Sequence, residues 1–373
     1  MLKLLSRNSK FLIPNTNIYN LSNSIRMSST YTLLKDFTYP KTQKAITINK
    51  TGGPEVLEYS DIATPSLEEL KPNEIIVQIK YSGVNLIETY FRKGIYPVPL
   101  PYTLGREASG EIIAKGADVT KFNLKDTALF FKPGSFSQYV KLDTTSDKIV
   151  NVGTNVSDEK LQKYTAGFLQ GLTVLTFVEE AYKVQKGDYI LSYAAAGGVG
   201  LIFNQVLKLL GANVIAVAST EEKLKLAVEN GAKYTVLFDD PDFVNKVKSF
   251  TPNGEGVEAV FDSIGKDTFE KSLEAVKRKG TIVSYGNATG PVDPLVINRL
   301  SPKNVKILRP QLFGYITTTE EFEYYSEKLL KLISDDLVKI NIFKIFDMKD
   351  YREATELMEA RKTTGNILLK VPQ

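Results

Sequence analysis

The stretch Ser192–Leu201, SYAAAGGVGL, decides how the rest of the chain is read. An apolar run, DYILSYA, leads into it as a strand ending near Tyr193, and GLIFNQVLKLLG follows as a helix that begins near Val199 and stops at Gly211. The next apolar run, NVIAVAS, comes directly after that glycine. Small residues therefore fill the first strand-to-helix turn of a βαβ unit. Such a turn lets the backbone approach a pyrophosphate, which the free N–H groups and the dipole of the helix N-terminus attract. The spacing departs from G-x-G-x-x-G, because Ala195 stands where the first glycine belongs when the pattern is anchored on Gly200. Close packing of helix on strand, with no ligand, is the alternative use of the same residues.

Working outward, strands and helices continue to alternate from about Thr165 to Gln311: TEEKLKLAVENG, YTVLF, DFVNKVKSF, VEAVFDS, TFEKSLEAVKRKG and TIVSYGN. That alternation implies a parallel sheet with helices on both faces. Gly211, Gly231 and Gly280 stand where left-handed helix caps are expected. The preceding segment, from Ala45 to about Val152, has another texture. Short alternating runs such as AITIN, EIIVQIKYSGVN, SGEIIAKG and SFSQYVKL, broken by Gly and Pro, predict a small β-barrel. After residue 315, two helical stretches and a last strand, NILLKV, are expected to return to that barrel.

Composition narrows the chemistry. A chain of 373 residues with 43% hydrophobic content can build more than one core. It contains no His and no Cys, which removes the commonest metal ligand and general base, the thiolate nucleophile and any disulfide. Zinc catalysis is thereby disfavoured. The first 35 residues hold five Lys or Arg and no acid, a pattern similar to a mitochondrial transit peptide, with a weakly basic tail as the alternative. Met27 is a candidate second start, which would leave a cytoplasmic form. Net charge is +4 for the whole chain, but 42 Lys and Arg minus 43 Asp and Glu gives −1 for residues 36–373. The basic character belongs to the leader, and a strong nucleic-acid surface is not expected. Apolar runs in the leader are too short to span a membrane.

The stretch GDYILSYAAAGGVGLIFNQVLK, with Gly197, Gly198, Gly200, Gln205 and Lys208 at their spacings, resembles the quinone oxidoreductase signature of the medium-chain dehydrogenase/reductase superfamily. The likeness extends over nearly all of residues 42–373 through TGGPEVLEY, GVNLIETYFRKGIYP, LGREASGEI, FLQGLTV, FDSIG, SYGNATG and FGYITTTEE. It is strongest toward the zinc-free, zeta-crystallin-like NADPH:quinone reductases; Arg106 in LGRE stands where zinc relatives carry a ligand His. The resemblance implies an α/β protein with a GroES-like catalytic domain over residues 42–165, completed by 315–373, and a Rossmann domain over 166–314. It also implies a homodimer and, by analogy with zeta-crystallin, admits binding to AU-rich RNA.

A quinone fits a site without zinc or histidine. Hydride reduction of a ketone leaves an alkoxide that needs an acid or a metal. A reduced quinone leaves an anion that its own aromatic ring stabilises and water protonates. Positioning of the two rings is then the main task. An enone or enoyl-thioester reductase is the competing reading, since its enolate would make use of a proton from a tyrosine.

Cofactor choice is read at the end of NVIAVASTEEK. Ala218 occupies the place of the acid that binds a ribose 2′-OH in NAD enzymes, and Ser219 and Lys223 follow as groups able to bind a 2′-phosphate, so NADPH is expected. Ser219 with Glu222 also matches a helix capping box. The resemblance further assigns Asn85, Tyr90 and Thr173 to the nicotinamide end, Tyr90 and Tyr96 to the catalytic cleft, and Gly197, Gly198 and Val199 to the pyrophosphate. Phe238, Ser263, Tyr285, Asn287 and Leu312 fall on loops at strand C-terminal ends, and Arg361 reaches in from the C-terminal segment.

Overall fold

A computed structural model of the chain describes residues 25–27 and 30–373. In the strands between 189 and 284, neighbouring residues enter different cores. Ile190 and Ala259 pack with Phe203 and Phe261 on one face, while Leu191 and Val260 pack with Tyr193 and Val217 on the other. Burial on both faces is why these strands read as unbroken apolar runs. Numbered along the chain, Tyr189–Ser192, Asn213–Ala218, Tyr234–Leu237, Val257–Asp262, Val276–Ser284 and Lys306–Leu308 lie in the order 3-2-1-4-5-6, with every pair parallel. The order reverses beside the first strand, and there the loop after Ser192 opens.

The turn itself is tight. Ala194 is left-handed, with φ of 50°, and a Cβ on Gly200 would lie 2.3 Å from the Ala194 carbonyl oxygen. The helix Gly198–Leu209 therefore starts hard against the strand. Gly211 and Gly231 do cap helices, with φ of 79° and 115°. Gly280 does not. The helix Phe269–Ala275 ends earlier than its sequence predicts, and Gly280 lies inside the strand Val276–Ser284, where a Cβ would sit 2.5 Å from Val276 Cγ2. Val276 is drawn into the core beside Val257, and that packing outweighs the helical pattern of AVKRKG.

The other large sheet is centred on Glu74–Val84, which pairs antiparallel with Glu107–Gly116, Tyr139–Asp143 and the late strand Asn366–Lys370. A core of Ile75, Phe130, Phe136 and Tyr351 fills it. Tyr31–Leu34, inside the segment read as a leader, is a strand paired with Glu107–Gly116, and its Leu33 and Leu34 are buried. Those residues belong to the sheet; the targeting reading otherwise rests on residues 1–24, outside the described residues. Among the described residues no helix is long and apolar enough to cross a membrane.

Two devices hold the halves together. The helix Asp158–Thr176, capped where Ser157 Oγ accepts the Lys160 N–H at 3.3 Å, lies so close to the helix Thr319–Ser334 that a Cβ on Gly171 would meet Leu329 Cδ1 at 2.4 Å. The glycine turn is pinned to the returning chain, where the Gly365 N–H donates to the Ala196 carbonyl at 3.0 Å.

Candidate functional site

A cavity of about 830 Å³ lies between the ends of the parallel strands and the barrel. Asn85, Tyr90, Tyr96, Thr173, Gly197, Gly198, Val199, Ser219, Lys223, Phe238, Ser263, Tyr285, Leu312 and Arg361 all line it. Asn287 does not, although its neighbours Gly286 and Ala288 do; its backbone N–H donates instead to Tyr90 Oη at 3.1 Å. Arg106, Lys223, Arg309 and Arg361 also face the cavity, and no carboxylate among the described residues does. An electropositive cleft with an apolar floor suits a long anionic ligand.

At one end stands an anion cradle. The first turn of Gly198–Leu209 leaves its N–H groups without helical partners, and Gly197, Gly198 and Val199 present that turn to the cavity. A Cβ on Gly198 would lie 2.1 Å from Gln170 Oε1, so a larger residue would push the Gln170 amide off its bonds to Asn85 and Asn366. Beyond the next strand, Lys223 Nζ donates to Ser219 Oγ at 3.3 Å and to the Arg361 carbonyl at 2.6 Å. Neither Lys223 nor Arg361 has a carboxylate at ion-pair distance among the described residues. Burial, together with the Arg361 guanidinium, holds the Lys223 ammonium below the usual lysine range. Two cations without a carboxylate partner thus face the cavity together with the Ser219 hydroxyl, a set able to bind an anion. The capping box expected at Ser219 is absent: Thr220 caps the helix Glu221–Glu229, accepting the Lys223 N–H at 3.3 Å. Ser219 is thus released for a ligand. Phe238 lies next to Ala218, with its N–H on the Ala218 carbonyl at 2.9 Å, and supplies a flat wall.

The opposite end is built from buried, mutually bonded groups. Asn85 Nδ2 donates to Glu107 Oε1 at 2.6 Å, and Gln170 Nε2 donates to Asn85 Oδ1 at 3.2 Å. Asn366 Nδ2 in turn donates to Gln170 Oε1 at 2.7 Å, and the Leu169 N–H donates to Glu107 Oε2 at 2.7 Å. Burial pushes Glu107 up to about 8, so near neutral pH its carboxyl is mostly uncharged. Thr173 Oγ1 donates to the Leu169 carbonyl at 2.8 Å, which leaves an oxygen lone pair for a donor in the cavity. Tyr90 and Tyr96 meet edge to face, with ring centroids 5.4 Å apart, and burial raises Tyr90 above the usual phenol range. Tyr285 packs on Phe177 at 5.4 Å. The Ser263 loop is fixed from beneath, where Asp262 accepts from the Ile264 N–H at 2.8 Å and from the Thr268 hydroxyl.

Sequence reasoning missed Gln170, Glu107, Asn366 and Arg309 as parts of this site. Gln170 and Glu107 stand within the stretches FLQGLTV and LGREASGEI that carry the resemblance, and their polarity inside apolar surroundings was the available signal. Arg309 Nη1 donates to the Gly286 carbonyl at 2.8 Å, a contact visible only once the sheet is assembled.

Fold and site together define a two-domain dinucleotide oxidoreductase of the medium-chain type. Residues 198–335 match the family described as zinc-binding dehydrogenase, although this chain has neither His nor Cys, and residues 71–152 match the alcohol dehydrogenase GroES-like domain. The chain is 40% identical to the probable quinone oxidoreductase of Schizosaccharomyces pombe over 87% of its own length and 96% of the relative. It is 32% identical to the 2-haloacrylate reductase of a Burkholderia species, over 88% and 99%. The crystal structure of Escherichia coli quinone oxidoreductase complexed with NADPH superposes with a TM-score of 0.81 at 36% identity, covering 88% of this chain and 99% of that one. The chain belongs to the quinone oxidoreductase family of the medium-chain dehydrogenase/reductase superfamily.

Proposed function

We propose that this protein is an NADPH-dependent quinone reductase that works without a metal. The observation that carries the reading is the cavity itself: an unneutralised Ser219, Lys223 and Arg361 cluster at one end and an aromatic, hydrogen-bonded cleft at the other. A bound dihydronicotinamide supplies the hydride, a chemistry that no side chain of the protein offers. Lys223, Arg361 and the Ser219 hydroxyl hold a 2′-phosphate, the first turn after Gly197 holds the pyrophosphate, and Phe238 covers the adenine. Ser263, Tyr285 and Leu312 line the passage between the two ends, and the backbone N–H of Asn287 steadies Tyr90 from outside it. Thr173 accepts from a carboxamide NH₂ and so selects which ring face looks into the cleft. Tyr90 and Asn85 steady the nicotinamide ribose; the Asn85 amide has one N–H and one lone pair beyond its bonds to Glu107 and Gln170. Tyr96 lies against the acceptor.

Reduction of an activated alkene is the second reading, favoured by the likeness to 2-haloacrylate reductase. Turnover of NADPH with ortho- and para-quinones, set beside enones, enoyl thioesters and 2-haloacrylates, separates the two. A higher kcat/KM for quinones is expected; a higher value for the alkenes would overturn the assignment.

The same reading extends to assembly and place. Two copies pair along the open edge strand Lys306–Leu308, beside which Val296 and Ile297 are exposed at 66% and 74%. Light scattering at twice the mass of 41.5 kDa tests the pairing. The acid-free stretch before residue 25 supports a mitochondrial form, and a start at Met27 a cytoplasmic one.

A further inference from the structure

Among the described residues four cations face the cavity, and three have tasks or strong partners. Lys223 and Arg361 stand at the phosphate end, and Arg309 is tied to the Gly286 carbonyl. Arg106 has only weak ties, the Tyr102 hydroxyl and the charge of the buried Glu88 beside it. Its backbone is fixed, with its carbonyl accepting the Lys132 N–H at 2.9 Å, and its guanidinium lies 4.2 Å from the centre of the Phe91 ring. Phe91 packs on Tyr96 with ring centres 5.9 Å apart, which puts the guanidinium on the acceptor wall. It forms no ion pair among the described residues, and its Nε is buried without a hydrogen-bond partner. Glu88 is close enough for its carboxyl to feel the guanidinium but forms no ion pair with it, its Oε2 accepting the Gly105 N–H at 2.9 Å. A partly desolvated guanidinium with donors to spare calls for an oxygen that carries negative charge.

We propose that Arg106 binds the acceptor, donating to the carbonyl oxygen on which negative charge collects during reduction; this rests on the reductase reading above. A hydride and a quinone make a hydroquinone monoanion, with the transferred electron pair ending on ring oxygen. A proton from water completes the hydroquinone, and the dinucleotide leaves oxidised. Arg106 stays protonated throughout and serves as a fixed counter-charge. An enolate formed from an enone would depend on it more, having no aromatic ring over which to spread its charge.

The test uses 2-hydroxy-1,4-naphthoquinone, ionised at neutral pH, as a mimic of the charged product, and its 2-methoxy analogue as the neutral control. Calorimetry on the NADP⁺-bound protein should show Arg106→Ala binding the ionised probe at least roughly tenfold more weakly, with the methoxy compound unaffected. Arg106→Met, which keeps a side-chain stem over Phe91, should behave alike and guards against misfolding. Turnover should fall by roughly a hundredfold with enones and by less with quinones, and added guanidinium ion should restore part of it. Unchanged preference for the ionised probe in both variants would overturn the proposal. Failure of the wild type to oxidise NADPH with any quinone would sink the reductase reading instead, and the binding arm would still report on Arg106.

Discussion

The two ends of the cavity are built on opposite plans. At the phosphate end, Ser219 and Lys223 sit within one turn of chain, partly in water, with the Lys223 ammonium bonded to Ser219 Oγ and to the Arg361 carbonyl. At the acceptor end, Glu107, Asn85, Gln170 and Asn366 come from four separated segments and form one buried chain of hydrogen bonds. Charge acts over distance and tolerates loose placement, so a short local cluster suffices to hold a phosphate. An uncharged ring gives no such handle. Its position must come from neighbours that are themselves locked by packing and hydrogen bonds.

If that contrast holds, removing charge from the first end should have the largest effect on binding and a selective one. Hydrogen bonds to charged groups contribute about 1.5–3 kcal/mol each, so Lys223→Ala combined with Arg361→Ala should weaken NADPH by roughly a hundredfold or more. NADH, which lacks the 2′-phosphate, should bind nearly as before. A fluorescence titration of both nucleotides decides it; equal losses would mean that these cations do not read the phosphate.

The second end should announce itself in stability. Burial raises Glu88 to about 7 and Glu107 to about 8 from an ordinary 4.5, so the folded protein binds protons that the unfolded chain has released. By linkage, stabilisation is complete below about 4.5 and is lost as pH rises through about 7 and 8. Calorimetry should find the melting temperature falling between pH 5 and pH 8. Glu107→Gln, which has no proton to lose, should flatten the upper part of that fall. An equally steep decline in the variant would contradict the buried-carboxyl account.

The same contrast explains what was legible in the sequence. The glycine turn, the alternating strands and helices, and the Ala218–Lys223 segment are local, and each reads from a window of about ten residues. The capping residue was misplaced by one, from Ser219 to Thr220, because either hydroxyl fits the pattern and only the backbone angle chooses. The KRKG run looks like a helix end at Gly280, but the parallel pairing of Val276 with Val257 makes it strand. Gln170, Glu107 and Asn366 gave little local signal. Their partners lie 22 to 200 residues away, and no periodicity encodes such a meeting. Tyr31–Leu34 was hidden by a composition that suited a leader, although its pairing with Glu107–Gly116 places it in the sheet.

The smallest expected effect tests the central claim most directly, because the acceptor end is held to work by position and not by proton donation from Tyr96. Replacing Tyr96 by Phe keeps the ring that meets Tyr90 and Phe91 and removes at most one hydrogen bond, about 0.5–1.5 kcal/mol. With saturating NADPH, kcat/KM for para- and ortho-quinones should therefore fall by no more than roughly tenfold. A loss of roughly a hundredfold or more, the size expected of a general acid, in a variant that still folds and binds NADPH would make Tyr96 a proton donor and contradict the account.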